Sequence, residues 1–250
     1  MSAITVTRVD RAELSYRPKP WPFALTHKVE IEARFAELKR RKPAVWNGPI
    51  LLLYDHGIED GVLRGSYLLS DFAAFTAWKD MQPLDAGVVD CTAATAVLTA
   101  DGALMLGVMG EHTANAGQMY FPCGTPDPND IAGDVVDLEG SAWRELAEET
   151  GIAASEFKPD SGWYLVRDGN LLLALKVLRA DVSADALRAR IHEHLRADPD
   201  PELSDIRAVF GPADIDPAMT GFVVGFLDYW WRNGGPCRGI AADWRRSRLG

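Results

Sequence analysis

Cysteine is scarce in this chain: Cys91, Cys123 and Cys237 are the three among 250 residues, widely spaced and with no CxxC pair. That excludes a disulfide framework and a cysteine-ligated zinc site, and it fits a reducing cytoplasm. Long apolar runs are lacking too. No window approaches the length of a membrane span, and the N-terminus carries no apolar leader segment. Basic residues are outnumbered, 26 Lys and Arg against 36 Asp and Glu, for a formal net charge of −10. Such a balance excludes general nucleic-acid binding, which needs a basic face for phosphates. It leaves room for a small anionic substrate, because a bound metal inverts the local field. Internal repeats and low-complexity tracts are also missing. What is present is a globular composition, 47% hydrophobic and 25% charged, long enough for one large domain or two small ones.

The most informative stretch is Arg144-Glu145-Leu146-Ala147-Glu148-Glu149-Thr150-Gly151-Ile152. On a helix, Glu145, Glu148 and Glu149 stand at i, i+3 and i+4, so the three carboxylates share one face. Leu146 and Ile152 are free to anchor the segment in a core. Gly151 is the natural helix terminator, which puts the acids in the last two turns. The helix dipole is negative there, so the charges repel each other and the helix end. Arg144 can pair with Glu148, but one arginine does not balance three acids. Hard divalent cations would, and Mg²⁺ is the usual choice where a phosphorylated substrate shares the site. The alternative is a solvated acidic face with one ordinary surface pair, worth a few tenths of a kcal/mol.

The complete string resembles the helical half of the Nudix box, the signature of Mg²⁺-dependent nucleoside diphosphate hydrolases. Its Arg-Glu-Leu-x-Glu-Glu-x-Gly-Ile pattern matches at every specified position. The other half departs from the family. The glycine and glutamate that precede the arginine at fixed distances fall here on Asp130 and Val136. Phe121-Pro122-Cys123-Gly124 resembles the family's Phe-Pro-Gly-Gly if the following loop is enlarged through Pro126, Pro128 and Gly133. Asp137 then reads as the helix N-cap. Asp134, Asp137 and Glu139 stay open as replacements for the displaced glutamate.

The order of elements agrees with an α/β fold, a Nudix-type α/β/α sandwich with a mixed sheet and an N-terminal α+β extension. Residues 1–85 read as the extension packed on the core, 86–232 as the Nudix domain, and 233–250 as a basic tail with Trp244 available for docking. Ile4 to Arg8 predicts an edge strand, and Pro18, Pro20 and Pro22 an extended passage. Ile31, Phe35 and Leu38 mark an amphipathic helix from Thr26 to Arg41. Its terminal Lys39–Lys42 run complements the dipole as solvated surface. Strands are predicted at 50–54 and 62–69, and Ser70 or Asp71 caps a short helix. A break follows through Pro83 and Asp85, then a hairpin at 88–109 turning at Asp101-Gly102. Beyond Gly151 come strands at 163–166 and 171–178, a helix from Ser183, a strand at 206–210 and an aromatic-rich helix at 218–231. The Trp46-Asn47-Gly48 turn of the extension resembles that of animal Nudix UDP-sugar pyrophosphatases.

The resemblance implies a pyrophosphohydrolase with Mg²⁺ or Mn²⁺ held by Glu145, Glu148 and Glu149. Arg144 would orient a helix glutamate, and Gly124 would let backbone approach the helix. The proton from the attacking water would go to a glutamate, either one of the triplet or Glu202 in a late proline-rich loop. His112, in the loop before the Gly124 strand, is a candidate phosphate contact beside its reading as ordinary loop. His192 and His194 point to different sides of their helix and read as surface. Trp230 and Trp231 read as helix packing. A nucleotide sugar or ADP-ribose is the implied substrate, and a homodimer stays open. The four-cysteine module of the family's NADH pyrophosphatases is absent, and Gly117-x-x-x-Phe121-Pro122 echoes its coenzyme A hydrolases without their arginines. Two rivals remain: a non-catalytic Nudix-fold nucleotide-binding sensor or assembly module, and an isomerase using Cys123.

Overall fold

The computed structural model describes residues 4–43, 45–81 and 87–237. The expected break at Pro83 and Asp85, the boundary at 85–86 and Trp244 of the tail lie outside them. The N-terminal third runs β1 (Thr5–Val9), β2 (Arg11–Tyr16), α1 (Pro22–Thr26), α2 (Lys28–Arg41), β3 (Pro49–Glu59), β4 (Val62–Asp71) and α3 (Phe72–Met81). Then come β5 (Asp90–Leu98), β6 (Leu104–Met109), β7 (Met119–Tyr120), β8 (Cys123–Gly124), β9 (Ile131–Ala132), β10 (Val135–Val136) and α4 (Leu138–Thr150). The chain continues with β11 (Lys158–Pro159), β12 (Trp163–Asp168), β13 (Leu171–Arg179), α5 (Ala184–Ala197), β14 (Leu203–Val209) and α6 (Gly221–Arg232).

These elements make a mixed α/β fold with two mixed sheets. The larger has the strand order β1-β12-β13-β5-β6-β14, with β11, β7 and β8 attached to β13, β6 and β5. Its β13–β5 pair is parallel and the other pairs are antiparallel. The second sheet has the order β3-β4-β2-β10-β9, with β2 and β4 parallel. All nine residues of β5 are buried, as a strand covered on both faces requires.

Alternation along β5 and β13 explains the layers. Ala94, Ala96, Leu173, Leu175 and Val177 face α6, against Phe226, Leu227 and Trp230. The opposite face is divided. Val97 and Leu178 meet Leu146 of α4 and Leu187 and Ile191 of α5. Cys91, Ala93, Leu172 and Ala174 instead meet Leu14, Leu51, Leu53 and Tyr67 of the second sheet. That sheet's outer side is closed by Trp21, Ile31, Ala74 and Trp78 of the N-terminal helical segment. The period-2 pattern thus builds a sandwich in which helices cover one end of a face and a second sheet covers the other.

Several local expectations hold for the stated reasons. β1 is the edge strand, paired only to β12 along the sheet path. The β3–β4 hairpin turns at Asp60 and Gly61, both at positive φ (49° and 72°), as a tight primed turn needs. The Asp71 carboxylate accepts from the Ala74 amide at 2.8 Å and caps α3. Ser183 caps α5, accepting from Ala186 N at 3.3 Å. One expectation needs correction. Pro22 does not extend the chain but opens α1, where a missing N–H costs nothing. Residues 11–16, for which the sequence reading offered no element, form a strand whose Ala12, Leu14 and Tyr16 pack against one cluster. The enlarged loop is not irregular either: it folds into the β9–β10 hairpin around Gly133 (φ 69°) and joins the second sheet at Ser15.

Candidate active site

α4 starts at Asp137, whose carboxylate accepts from Gly140 N at 2.9 Å, and ends at Gly151 in the left-handed region (φ 71°). Leu138, Ala142 and Leu146 are buried and hold the helix to the large sheet. The acids are therefore delivered to the helix's negative end, as their spacing predicts. His194 of α5 reaches the Glu148 carbonyl with Nε2 at 3.1 Å and sits over Gly151, where a Cβ would strike the imidazole.

The three carboxylates differ in environment. Glu149 is 3% exposed; its Oε1 accepts from the Cys123 amide at 3.2 Å, while Oε2 is buried with no hydrogen-bond partner. Burial, then repulsion from Glu202 and Glu145, hold its carboxyl well above the usual range. Glu145 has a 13% exposed side chain and pairs with Arg144 Nη1 at 2.8 Å. Burial pushes it up to about 7, with Glu148 and Glu202 adding repulsion and Arg144 opposing. Glu148 is 61% exposed and lies 3.2 Å from the same arginine nitrogen.

Arg144 has a further partner that its helix does not supply. Its Nη2 donates to the Asp130 carboxylate at 3.1 and 3.4 Å, and the Asp130 side chain is 4% exposed. Asp130 is held in turn by the Asp127 amide, which donates to its Oδ2 at 3.0 Å. This corrects the search for the displaced glutamate. Asp137 is spent on the cap, Glu139 points to Lys176 at 3.6 Å, and Asp134 is exposed. Val136 is buried between the sheets. The acid that anchors the arginine stands at the position where the family's glycine would be.

Gly124 lies against this cluster. It pairs with Ala93 of β5, and a methyl group there would fall inside the Glu145 carboxylate. Only glycine leaves that space. Across the site, Glu202 directly precedes β14. Its own carboxyl is raised by partial desolvation and by Glu148, with the His112 imidazole opposing. His112 packs on Gly110, and the Gly110 amide donates to the Glu202 carbonyl at 2.8 Å. The structure thus brings together Arg144, Glu145, Glu148, Glu149, Gly124, Glu202 and His112. Glu202 is exposed, yet it lies close enough to the cluster for its charge to act on Glu145 and Glu149.

These residues fit a hard divalent cation. Glu149 offers an orphaned carboxylate oxygen, Glu145 is desolvated beside it, and glycine keeps the intervening space clear. Among the described residues no three acid, His or Cys groups already converge on one point. Glu145 and Glu148 are turned toward Arg144, so gathering the triplet requires side-chain rotation at the exposed Glu148.

Sequence reading missed three contributors. Asp130 gave no signal beyond its spacing, the Cys123 amide acts through backbone, and Asp90 lies outside any motif. The buried Asp90 accepts from Thr92 at 2.8 Å and from Thr125 at 3.3 Å, fixing the residue after Gly124. His192 is no free surface group: its Nε2 is 2.7 Å from Asp205. Trp230 and Trp231 are buried packing residues, as expected. Cys123 is deeply desolvated and its thiol is held far above the usual range by burial and Glu149, which disfavours a thiolate nucleophile.

No family model matches the chain, and no curated protein does. Solved structures do. A Nudix hydrolase from M. smegmatis, RenU, is 12% identical with a TM-score of 0.38, over 57% of this chain and 83% of that one. A bifunctional NMN adenylyltransferase/ADP-ribose pyrophosphatase from Francisella tularensis, in complex with AMP and a Mn ion, is 13% identical with a TM-score of 0.39. It aligns over 58% of this chain and 42% of its own. NrtR from Shewanella oneidensis, in complex with a 27mer DNA, is 18% identical with a TM-score of 0.31, over 47% and 49%. At these scores the likeness carries no inference about activity, which rests on the residues above.

Proposed function

We propose that this chain is a metal-dependent pyrophosphohydrolase of the Nudix type, cleaving a nucleoside diphosphate joined to another moiety. The observation that carries the reading is the orphaned, buried Glu149 oxygen beside the desolvated Glu145 under Gly124. Burying two carboxylates at a helix C-terminus is costly unless a cation joins them. Glu145, Glu148 and Glu149 would hold Mg²⁺ or Mn²⁺. When bound, the cation supplies neutralising charge to the diphosphate and a more acidic water.

The chain's own residues do the rest. Asp130 fixes Arg144, and Arg144 orients Glu145 and Glu148 by charge-assisted hydrogen bonds without touching substrate. Gly124 lets the β8 backbone come close to the helix and its Glu145 carboxylate. The Glu202 carboxyl is raised above its ordinary range by partial desolvation and by the neighbouring Glu148. It takes the proton as water attacks phosphorus in line and the anhydride oxygen leaves. His112 stands beside it to meet a phosphate oxygen. The products are a nucleoside monophosphate and the phosphorylated second moiety. A nucleotide sugar or ADP-ribose is our choice of substrate, by resemblance. A cytoplasmic setting suits the free cysteines, and a homodimer is compatible with the reading.

One observation favours a second reading, a nucleotide-binding sensor: Arg144 engages two of the three acids. A hydrolysis screen separates them. Nucleotide sugars, ADP-ribose, dinucleoside polyphosphates, NADH, coenzyme A and nucleoside triphosphates are offered with Mg²⁺ and with Mn²⁺, against Glu148→Gln, whose exposed position spares the fold. We expect monophosphate release by the wild type and a loss of at least about a hundredfold in the variant. Equal background in both, with tight binding of any of these ligands, leaves the sensor.

A further inference from the structure

The basic run at the end of α2 reads as solvated dipole complement, and for Lys39, Arg40 and Arg41 the structure agrees: all three are in the last turn, and mostly exposed. Lys42 behaves differently. The helix ends there in a non-helical conformation (φ −132°, ψ 82°), and the partly buried side chain leaves the helix to donate from Nζ to the Thr113 carbonyl at 2.6 Å. Thr113 lies 71 residues away, in the loop that carries His112. The same residue closes the loop on itself, since its N–H and hydroxyl both donate to the Gly110 carbonyl, at 3.0 and 2.8 Å. The Gly110 amide donates to the Glu202 carbonyl at 2.8 Å. A continuous set of hydrogen bonds therefore runs from Lys42 through Thr113 and Gly110 to the backbone of Glu202.

The two ends of this path differ in packing. Glu111, His112, Ala114, Asn115 and Ala116 are exposed, so the loop tip has little packing of its own. α2 is anchored, with Ile31 buried in the cluster that also holds Trp21 and Trp78. An ammonium at the end of a packed helix that bonds a carbonyl of an exposed loop helps to hold the loop in place, with more strength than a neutral donor would give. Resting on the hydrolase reading above, we propose that Lys42 is a positioning residue: from the N-terminal third of the chain, it holds the 110–117 loop so that His112 and the proton acceptor Glu202 are correctly placed. The N-terminal segment would then be part of the catalytic unit, acting without contact to substrate.

The test compares Lys42→Met and Lys42→Arg with wild type by steady-state kinetics on a substrate from the screen, and by amide hydrogen exchange. We expect Lys42→Met to lower kcat roughly tenfold with KM within about twofold, and Lys42→Arg to restore most of it, as misplacement of a catalytic group does. Exchange across 111–118 should rise in the Met variant while the melting temperature holds. An unchanged kcat, a KM rise at constant kcat, or unchanged loop exchange would each overturn the proposal. If the wild type turns over none of the substrates, it is the hydrolase reading that fails, and loop exchange alone still decides whether Lys42 holds the loop.

Discussion

Glu145 and Glu149 are acids in an environment that favours their neutral forms, and this sets how the metal-free protein responds to pH. Both are raised, Glu145 to about 7. A carboxyl raised on folding binds more protons in the native state than in the unfolded one across the interval between its two values. Stability is then greatest below the unfolded value near 4.5 and falls as pH rises through about 7. For Glu145 the loss is on the order of 2 kcal/mol, allowing for its pairing with Arg144. We expect the melting temperature of chelator-treated protein to drop between pH 5 and pH 8, Glu145→Gln to flatten the curve, and Mg²⁺ to restore stability most at the upper end. Parallel curves for wild type and variant would remove the basis for the assignment. The triplet itself was legible, because i, i+3, i+4 spacing needs only the helix. Its burial was not, because the Cys123 amide and Gly124 approach from a strand about twenty residues earlier.

At the scale of elements, α4 is bounded by local chemistry and oriented by a distant one. The cap at Asp137 and the stop at Gly151 are encoded within a turn of where they act. Arg144 is different, since its anchor comes from the 3₁₀ turn Pro128–Asp130 at the head of the β9–β10 hairpin. That acid is almost fully buried, so removing it leaves the guanidinium without its most buried partner. We expect Asp130→Ala to destabilise the fold by about 2–4 kcal/mol, and to weaken metal-dependent protection because Glu145 and Glu148 are no longer held apart. Thermal unfolding with and without Mg²⁺ checks both parts. An Asp134→Ala variant, exposed and outside this pairing, should match wild type. The sequence left Asp134, Asp137 and Glu139 open and gave no sign of Asp130, because spacing is counted along the chain whereas the hairpin shortens the distance through space.

The whole molecule is knit by two sheets that share one core. Leu53 of β3 is fully buried against Tyr67, Cys91 and Ala93, and the Leu53 and Val89 backbones exchange hydrogen bonds at 2.8 and 3.0 Å. β1 belongs to the large sheet while β2, β3 and β4 belong to the second, so the first 85 residues contribute to both. We expect Leu53→Ala to cost about 3 kcal/mol and to leave a single unfolding transition followed equally by far-ultraviolet and tryptophan signals. Two separated transitions would mean that the N-terminal segment folds by itself.

Local rules thus settled what depends on neighbours in sequence: the α4 acids on one face, its caps, the edge strand β1, and the α/β class. Each follows from backbone periodicity or turn geometry, which act over a few residues. Tertiary structure decided the rest. The second sheet, the pairing of Asp130 with Arg144, the approach of Glu202 and His112 to the helix, and the reach of Lys42 to Thr113 all join segments far apart in the chain. Hydrophobic burial drives such contacts without regard to separation, so they become visible only once the strands have taken their register.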